Sequence, residues 1–233
     1  MNREASIQGI LPIDKPAGIT SFKLVSYLRK ILNVKKIGHA GTLDPFATGV
    51  MLLMVGKQYT SLSNQLMASE KEYVTTIRLG IETDTHDTDG KVIATSDYIP
   101  TLEEIQENII PFQGWQEQIP SMFSAKKING KKLYELARQG IEIPRPPSKV
   151  HMQIELLNYS YPFLEIKVNC TPGTYIRSLA RDLGLALNCG AHLAQLRRTR
   201  SGTFTLKECF DGNQFQTENT TADQLIPWLR SSI

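Results

Sequence analysis

Cysteine is scarce in this chain: Cys170, Cys189 and Cys209 are the only three. The number is odd and no two have the two-residue spacing of a zinc knuckle or a redox motif. They read as reduced thiols of a cytosolic protein. Long apolar runs are missing as well. The longest, Val50 to Val55, is far too short to span a bilayer, and the N-terminus has no apolar stretch of signal-peptide length. A soluble, cytoplasmic protein with no membrane association is expected. An excess of one charge sign is also lacking, since 26 lysines and arginines face 23 acids for a net +3. Such a total does not point to nucleic acid, so the distribution of charge must decide. What is present is 233 residues, 41% of them hydrophobic, enough for a sizeable core.

Residues 8–14 read as a short strand that stops at Lys15-Pro16, because proline pushes its predecessor away from helix. Thr20 or Ser21 caps a helix whose apolar stripe is Phe22, Val25, Leu28, Ile31 and Leu32. Residues 35–49 hold three glycines and a proline without a period, a long loop of the kind that carries function. Val50–Val55 and Tyr73–Leu79 read as strands. Thr101 and Glu104 form a capping box that opens a helix of about three turns. A short helix from Lys131 to Gln139 ends at Gly140, and residues 149–157 and 163–170 make two strands joined by a turn. Thr174 caps a helix carrying Ile176, Leu179, Ala180 and Leu183, strands return over 192–206, and a last short helix covers roughly 221–230. Irregular alternation with hairpins predicts an α+β fold with a mixed, mostly antiparallel sheet flanked by helices.

The basic residues are concentrated. Residues 121–150 hold Lys126, Lys127, Lys131, Lys132, Arg138, Arg145 and Lys149 against Glu135 and Glu142, a net +5. Residues 195–207 add Arg197, Arg198, Arg200 and Lys207 without an acid. A near-neutral body with basic segments suits a phosphate-backbone binder, and Phe123 and Tyr134 offer rings for stacking on bases. The alternative is a solvated surface of scattered lysines.

Several familiar sites fail on spacing. Gly49 to Lys57 is not a phosphate loop, because its glycines are seven apart. Residues 84–90 lack two of the carboxylates of a calcium loop. His39, His86, His151 and His192 lack metal-ligand spacing, and no GxSxG elbow occurs. No metal or cofactor is expected. What remains is GHAGTLDPFATG, residues 38–49, in which Asp44 is the only acid. Glycines on both sides let a ligand approach, and Pro45 holds Asp44 extended. From the residues alone, Asp44 is a nucleophile, a general base or a turn-stabilising side chain.

The segment GHAGTLDPFATGV resembles the active-site motif of the TruB family, the tRNA pseudouridine-55 synthases. Five further segments are similar in the same order: ILPIDKPAGITSF, KEYVTTIRLGIETDTHDTDG, IPSMFSAKKINGKKLYELARQG, VNCTPGTYIRSLARDLG and AHLAQLRRTRSG. Together they cover residues 10 to about 205. The resemblance implies a pseudouridine-synthase fold in one catalytic domain over residues 1–233, with an RNA-gripping thumb inserted at about 117–150. It implies that Asp44 is the catalytic aspartate, that Arg177 pairs with it and that Tyr73 packs against the target base. Tyr175 and Leu196 would line the uracil pocket, His39 would contact the rearranged T loop, and Lys15 would support the active-site region. The concentration of basic charge assigns Lys126, Lys127, Lys131, Lys132, Arg197 and Arg198 to RNA binding.

These roles agree with the chemistry. A guanidinium favours an ionised carboxylate and fixes its rotamer. The target uridine is stacked inside a folded loop and must be flipped out. The partner implied is the T arm of tRNA, met by a monomer without an obligate protein partner. Two departures stand out. Many relatives carry a small C-terminal domain, whereas this chain ends about twenty residues after Gly212, so no separate RNA-binding domain is expected. Ala40 stands where threonine is common. Competing readings are a non-catalytic RNA binder or RNA-folding chaperone of the same fold, a glycosidic hydrolase and a guide-RNA-dependent relative. A hydrolase usually needs two carboxylates and this loop offers one. The basic insertion resembles the stand-alone type.

Overall fold

In the computed structural model, residues 7–231 are described, except 125, 129, 138, 218 and 219. The main elements of the first half are β1 (Gly9–Lys15), α1 (Ser21–Leu32), β2 (Ile37–His39), β3 (Thr48–Val55), β4 (Lys71–Leu79) and α2 (Leu102–Ile109). Then come β5 (Gly114–Gln118), α3 (Leu133–Ala137), β6 (Ser148–Ser160), β7 (Phe163–Cys170), α4 (Ile176–Ala186) and β8 (Ala191–Ser201). The chain folds as two compact units, Met1–Glu72 with Arg197–Ile233, and Tyr73–Leu196. The fold is α+β with mostly antiparallel pairing. Among the described residues no helix is long and apolar enough to cross a membrane.

The first unit is built on β3. Its apolar run is buried throughout, as a central strand requires. β1 pairs antiparallel with it from Gly9 opposite Val55 to Lys15 opposite Gly49. β2 also pairs with it antiparallel, and Arg197 and Arg198 of β8 pair parallel with Thr48 and Gly49. Phe210 and Asp211 add a short parallel pairing to β1. Ile10, Val50, Leu52, Met54, Leu66 and Phe204 form the core here. α1 is capped by Thr20, whose side chain accepts from the Lys23 amide, and it buries Leu24, Val25, Leu28 and Leu32. Phe22, expected in that stripe, is 62% exposed; it sits in the first turn, where the Arg29 guanidinium lies over its ring.

In the second unit the strand order is β4, β7, β6, β5. Inward and outward residues alternate along β4, with Tyr73, Thr75 and Ile77 buried. The Thr101–Glu104 capping box is formed at the start of α2. α4 begins one residue later than the sequence suggests: Tyr175 is its N-cap, while the Thr174 hydroxyl donates to the Thr171 carbonyl instead. The basic insertion leaves the sheet between two paired strands, since Gln118 lies opposite Ser148. It contains α3, a pairing of Lys127–Ile128 with Lys131–Lys132, and a small core of Met122, Leu133 and Leu136. The three cysteines are buried free thiols.

Candidate active site

Asp44 stands half-buried on the loop between β2 and β3. That loop has little regular structure, so its carbonyls and amides need partners from elsewhere. Buried side chains supply them. The Ser21 hydroxyl donates to the Leu43 carbonyl at 2.9 Å and accepts from the Leu43 amide at 3.0 Å, gripping the residue before Asp44 on both sides. The Lys15 ammonium donates to the carbonyls of Pro16 (2.9 Å), Pro45 (3.1 Å) and Ala47 (2.6 Å). The Gly18 amide adds a second donor to Pro45, and the Asp44 carbonyl accepts from Ala47. Lys15 is wholly buried, with three donors directed at three carbonyls. It therefore acts on the loop and not as a surface group that touches substrate. Burial lowers its pKa to about 8; the Asp44 charge pulls it back up, and Arg198 pushes it down.

Arg198 departs from the RNA-binding role given by its place in a basic run. It is 1% exposed, and its guanidinium donates to the Val50 carbonyl at 2.6 Å and to the Gly41 carbonyl at 3.4 Å. A side chain so enclosed does not meet a phosphate backbone. Its neighbour Arg197 points the other way, as alternation along a strand requires, and pairs with Asp14 at 2.6 Å while remaining partly exposed. His39 is half-buried, with a buried Nδ1 that has no hydrogen-bond partner among the described residues. Burial, and then the Arg198 charge, lower its pKa, so its ring is neutral at pH 7.

The second unit holds the other candidates. Arg177, in the first turn of α4, is buried. It forms an ion pair with Asp87 at 3.3 Å and donates to the carbonyls of Thr85 (3.4 Å) and Phe123 (2.7 Å). Asp87 belongs to the 84–90 turn that fails as a calcium loop. Its carboxylate also accepts from the Thr85 hydroxyl and the Asp89 amide, so the turn serves as a seat for Arg177. Tyr175 is fixed through its backbone: the Gln118 side chain accepts from its amide at 2.7 Å and donates to its carbonyl at 3.0 Å. Tyr73 and Leu196 are buried on their strands. In the insertion, Lys131 is exposed and Lys126 donates to the Ser148 hydroxyl at 2.9 Å. The side chains of Lys127 and Lys132, and Arg138 as a whole, lie outside the described part. Phe123 packs against the small core of the insertion.

Sequence reasoning missed Ser21 as a clamp, Gln118, Asp87 and the inward face of Arg198. For Arg198 the signal was available: β8 buries Leu193, Leu196 and Arg198, and the last two are an i, i+2 pair.

Comparison with known proteins identifies the family. The TruB family pseudouridylate synthase N-terminal domain matches residues 29–176, and the tRNA pseudouridylate synthase B C-terminal domain matches residues 177–232. The second match begins inside α4, away from the unit boundaries after Glu72 and Leu196. A tRNA pseudouridine synthase B of Protochlamydia amoebophila is 56% identical over 220 residues, 94% of this chain and 84% of that protein. One from Chlamydia felis is 55% identical over 205 residues, 88% and 87% of the two chains. Among solved structures, a Cbf5-Nop10-Gar1 complex has a chain similar at TM-score 0.74 and 29% identity, over 99% of this chain and 62% of that one. An H/ACA RNP bound to a substrate RNA containing 2'-deoxyuridine gives TM-score 0.70 and 26% identity, over 99% and 61%. This protein thus spans less than two thirds of those two chains. With family matches from residue 29 to residue 232 and relatives more than half identical over most of its length, the chain belongs to the TruB family of pseudouridylate synthases.

Proposed function

We propose that this protein converts a uridine of transfer RNA, uridine-55 in the T loop, to pseudouridine, with Asp44 as the reacting carboxylate. The observation that carries the reading is the mounting of Asp44. A single acid stands on a glycine-flanked loop whose neighbouring residues are gripped by Ser21 and Lys15. A carboxylate that must act on one atom of a flipped base needs such a fixed mount. The bond between C1' of the ribose and N1 of uracil breaks, the base turns, and a bond from C1' to C5 forms. N1 gains a proton and C5 loses one, so the product is an isomer. Attack by the carboxylate on the ring and its assistance at the sugar both fit this balance.

Tyr73 and Leu196 are assigned to the base, Tyr175 to the uracil pocket and the neutral His39 ring to the T loop. Arg177 is assigned a share in the same reaction. Asp87 and the carbonyls of Thr85 and Phe123 hold the guanidinium in one orientation. Lys126, Lys127, Lys131, Lys132 and Arg197 are assigned to the phosphate backbone. The protein acts as a monomer without a protein partner, a reading supported by the resemblance of the insertion to that of stand-alone enzymes.

The test is incubation of the purified protein with a T-arm stem-loop transcript, followed by chemical mapping. Pseudouridine at the single position equivalent to uridine-55 is expected. Release of free uracil would mean hydrolysis, and tight binding with no modification would mean a chaperone.

A further inference from the structure

Gly49, at the end of the Asp44 loop, lies in register between two buried cations, Lys15 of β1 on one side and Arg198 of β8 on the other. Cross-strand neighbours share a face of the sheet. Gly49 puts no side chain on that face. Its backbone has φ +104°, and a Cβ there would stand 2.1 Å from the Arg198 carbonyl oxygen, so glycine is required. From this position Arg198 reaches both ends of the loop, Gly41 before Asp44 and Val50 after it. Lys15 reaches the middle, at Pro45 and Ala47.

We propose that Arg198 is a positioning residue for pseudouridine formation: its buried guanidinium ties Gly41 to Val50 and so fixes the arc of chain on which Asp44 stands. The inference rests on the assignment of Asp44 as the reacting carboxylate. A buried guanidinium is costly, and an apolar side chain of similar volume would commonly serve stability as well or better. Two such cations side by side cost more, because each disfavours the charge of the other. Their retention makes sense if they do something packing cannot. They supply directed donors to a loop without regular structure, and Lys15 sets positive charge near its one acid. Lys15 registers both effects, since Asp44 favours its charged form and Arg198 opposes it. The basic run that contains Arg197 and Arg198 is thereby divided. Arg197 keeps a partly exposed face for RNA, and Arg198 serves the loop.

The experiment compares Arg198→Lys and Arg198→Met with the wild type in three measurements: single-turnover modification of a tRNA transcript, tRNA affinity, and amide hydrogen exchange over residues 40–50 of the free protein. Lysine keeps the charge but cannot span both carbonyls as the guanidinium fork does. The modification rate of Arg198→Lys should fall about 100-fold, as a displaced catalytic group does, with tRNA affinity close to wild type. Loop amides should exchange faster. Lost affinity with an unchanged rate would overturn the proposal and make Arg198 an RNA contact, and a loosened loop with an unchanged rate would overturn it too. If the methionine variant does not fold, the lysine variant and the wild-type exchange decide. Wild-type amides of Ala40, Leu43 and Ala47 that exchange as fast as a free peptide contradict the proposal without any variant. An Asp44→Asn enzyme with wild-type activity would instead remove the Asp44 assignment itself, whatever Arg198 does to the loop.

Discussion

The Asp44 loop and the basic insertion are both irregular stretches between strands, and they are held in opposite ways. The loop is fastened by buried polar side chains, each aimed at particular backbone atoms: Ser21 at Leu43, Lys15 at Pro45 and Ala47, Arg198 at Gly41 and Val50. The insertion carries Lys127, Lys131 and Lys132 on two very short paired strands beside one helix of five residues, over a core of three buried side chains. Directed bonds to buried partners fix atoms to fractions of an ångström. A small core holds a surface together but opens at lower cost. Chemistry on one carbon needs the first arrangement. Attraction to a phosphate backbone, which is long-ranged and tolerant of position, works with the second.

The largest effect that sharpens this contrast should come from Ser21→Ala. It leaves both backbone groups of Leu43 without their partner, at a cost of about 1–3 kcal/mol in stability. The modification rate at saturating tRNA should fall by about 10- to 100-fold with little change in KM, because a displaced catalytic group loses rate at unchanged binding. A change in KM alone would mean that the loop binds RNA and is not a mount for Asp44. Next in size is replacement of Lys126, Lys127, Lys131 and Lys132 by glutamine. Weaker tRNA binding is expected, with a salt dependence reduced by about 0.7–0.9 in logarithmic slope for each phosphate contact removed. An unchanged slope would move the RNA path away from the insertion.

The last effect, on stability and not on turnover, concerns Lys15. Burial holds its pKa near 8 in the fold, below its ordinary 10.5. Between these values the unfolded chain binds the extra proton, so rising pH favours the folded state. Unfolding free energy of the wild type relative to Lys15→Met should therefore increase from about pH 8 to about pH 10.5, by on the order of 3 kcal/mol at most. A flat difference across that window would show that the ammonium is better solvated than its burial implies.

Much of this was legible in the sequence where local chemistry dictates structure. Pro16 ends β1, the capping box starts α2, and the apolar run of β3 is a central strand. The Asp44 loop was visible by its glycines and its lone acid. What stayed hidden depends on partners distant in sequence. Ser21 looks like a helix cap, yet its hydroxyl serves Leu43, 22 residues away. Gln118 has no local signature, because its role is to grip the Tyr175 backbone 57 residues on. Arg198 read as an RNA contact because charge outweighed the two-residue alternation that turns it inward. Thr174 lost the cap of α4 because its hydroxyl closes a turn with Thr171.

The central claim is that Asp44 does the chemistry and not the binding. Single-turnover assay of Asp44→Asn on a tRNA transcript, with affinity measured in parallel, puts it to the test most directly. Unaltered tRNA affinity with no detectable pseudouridine is predicted; pseudouridine formed at near the wild-type rate would contradict it.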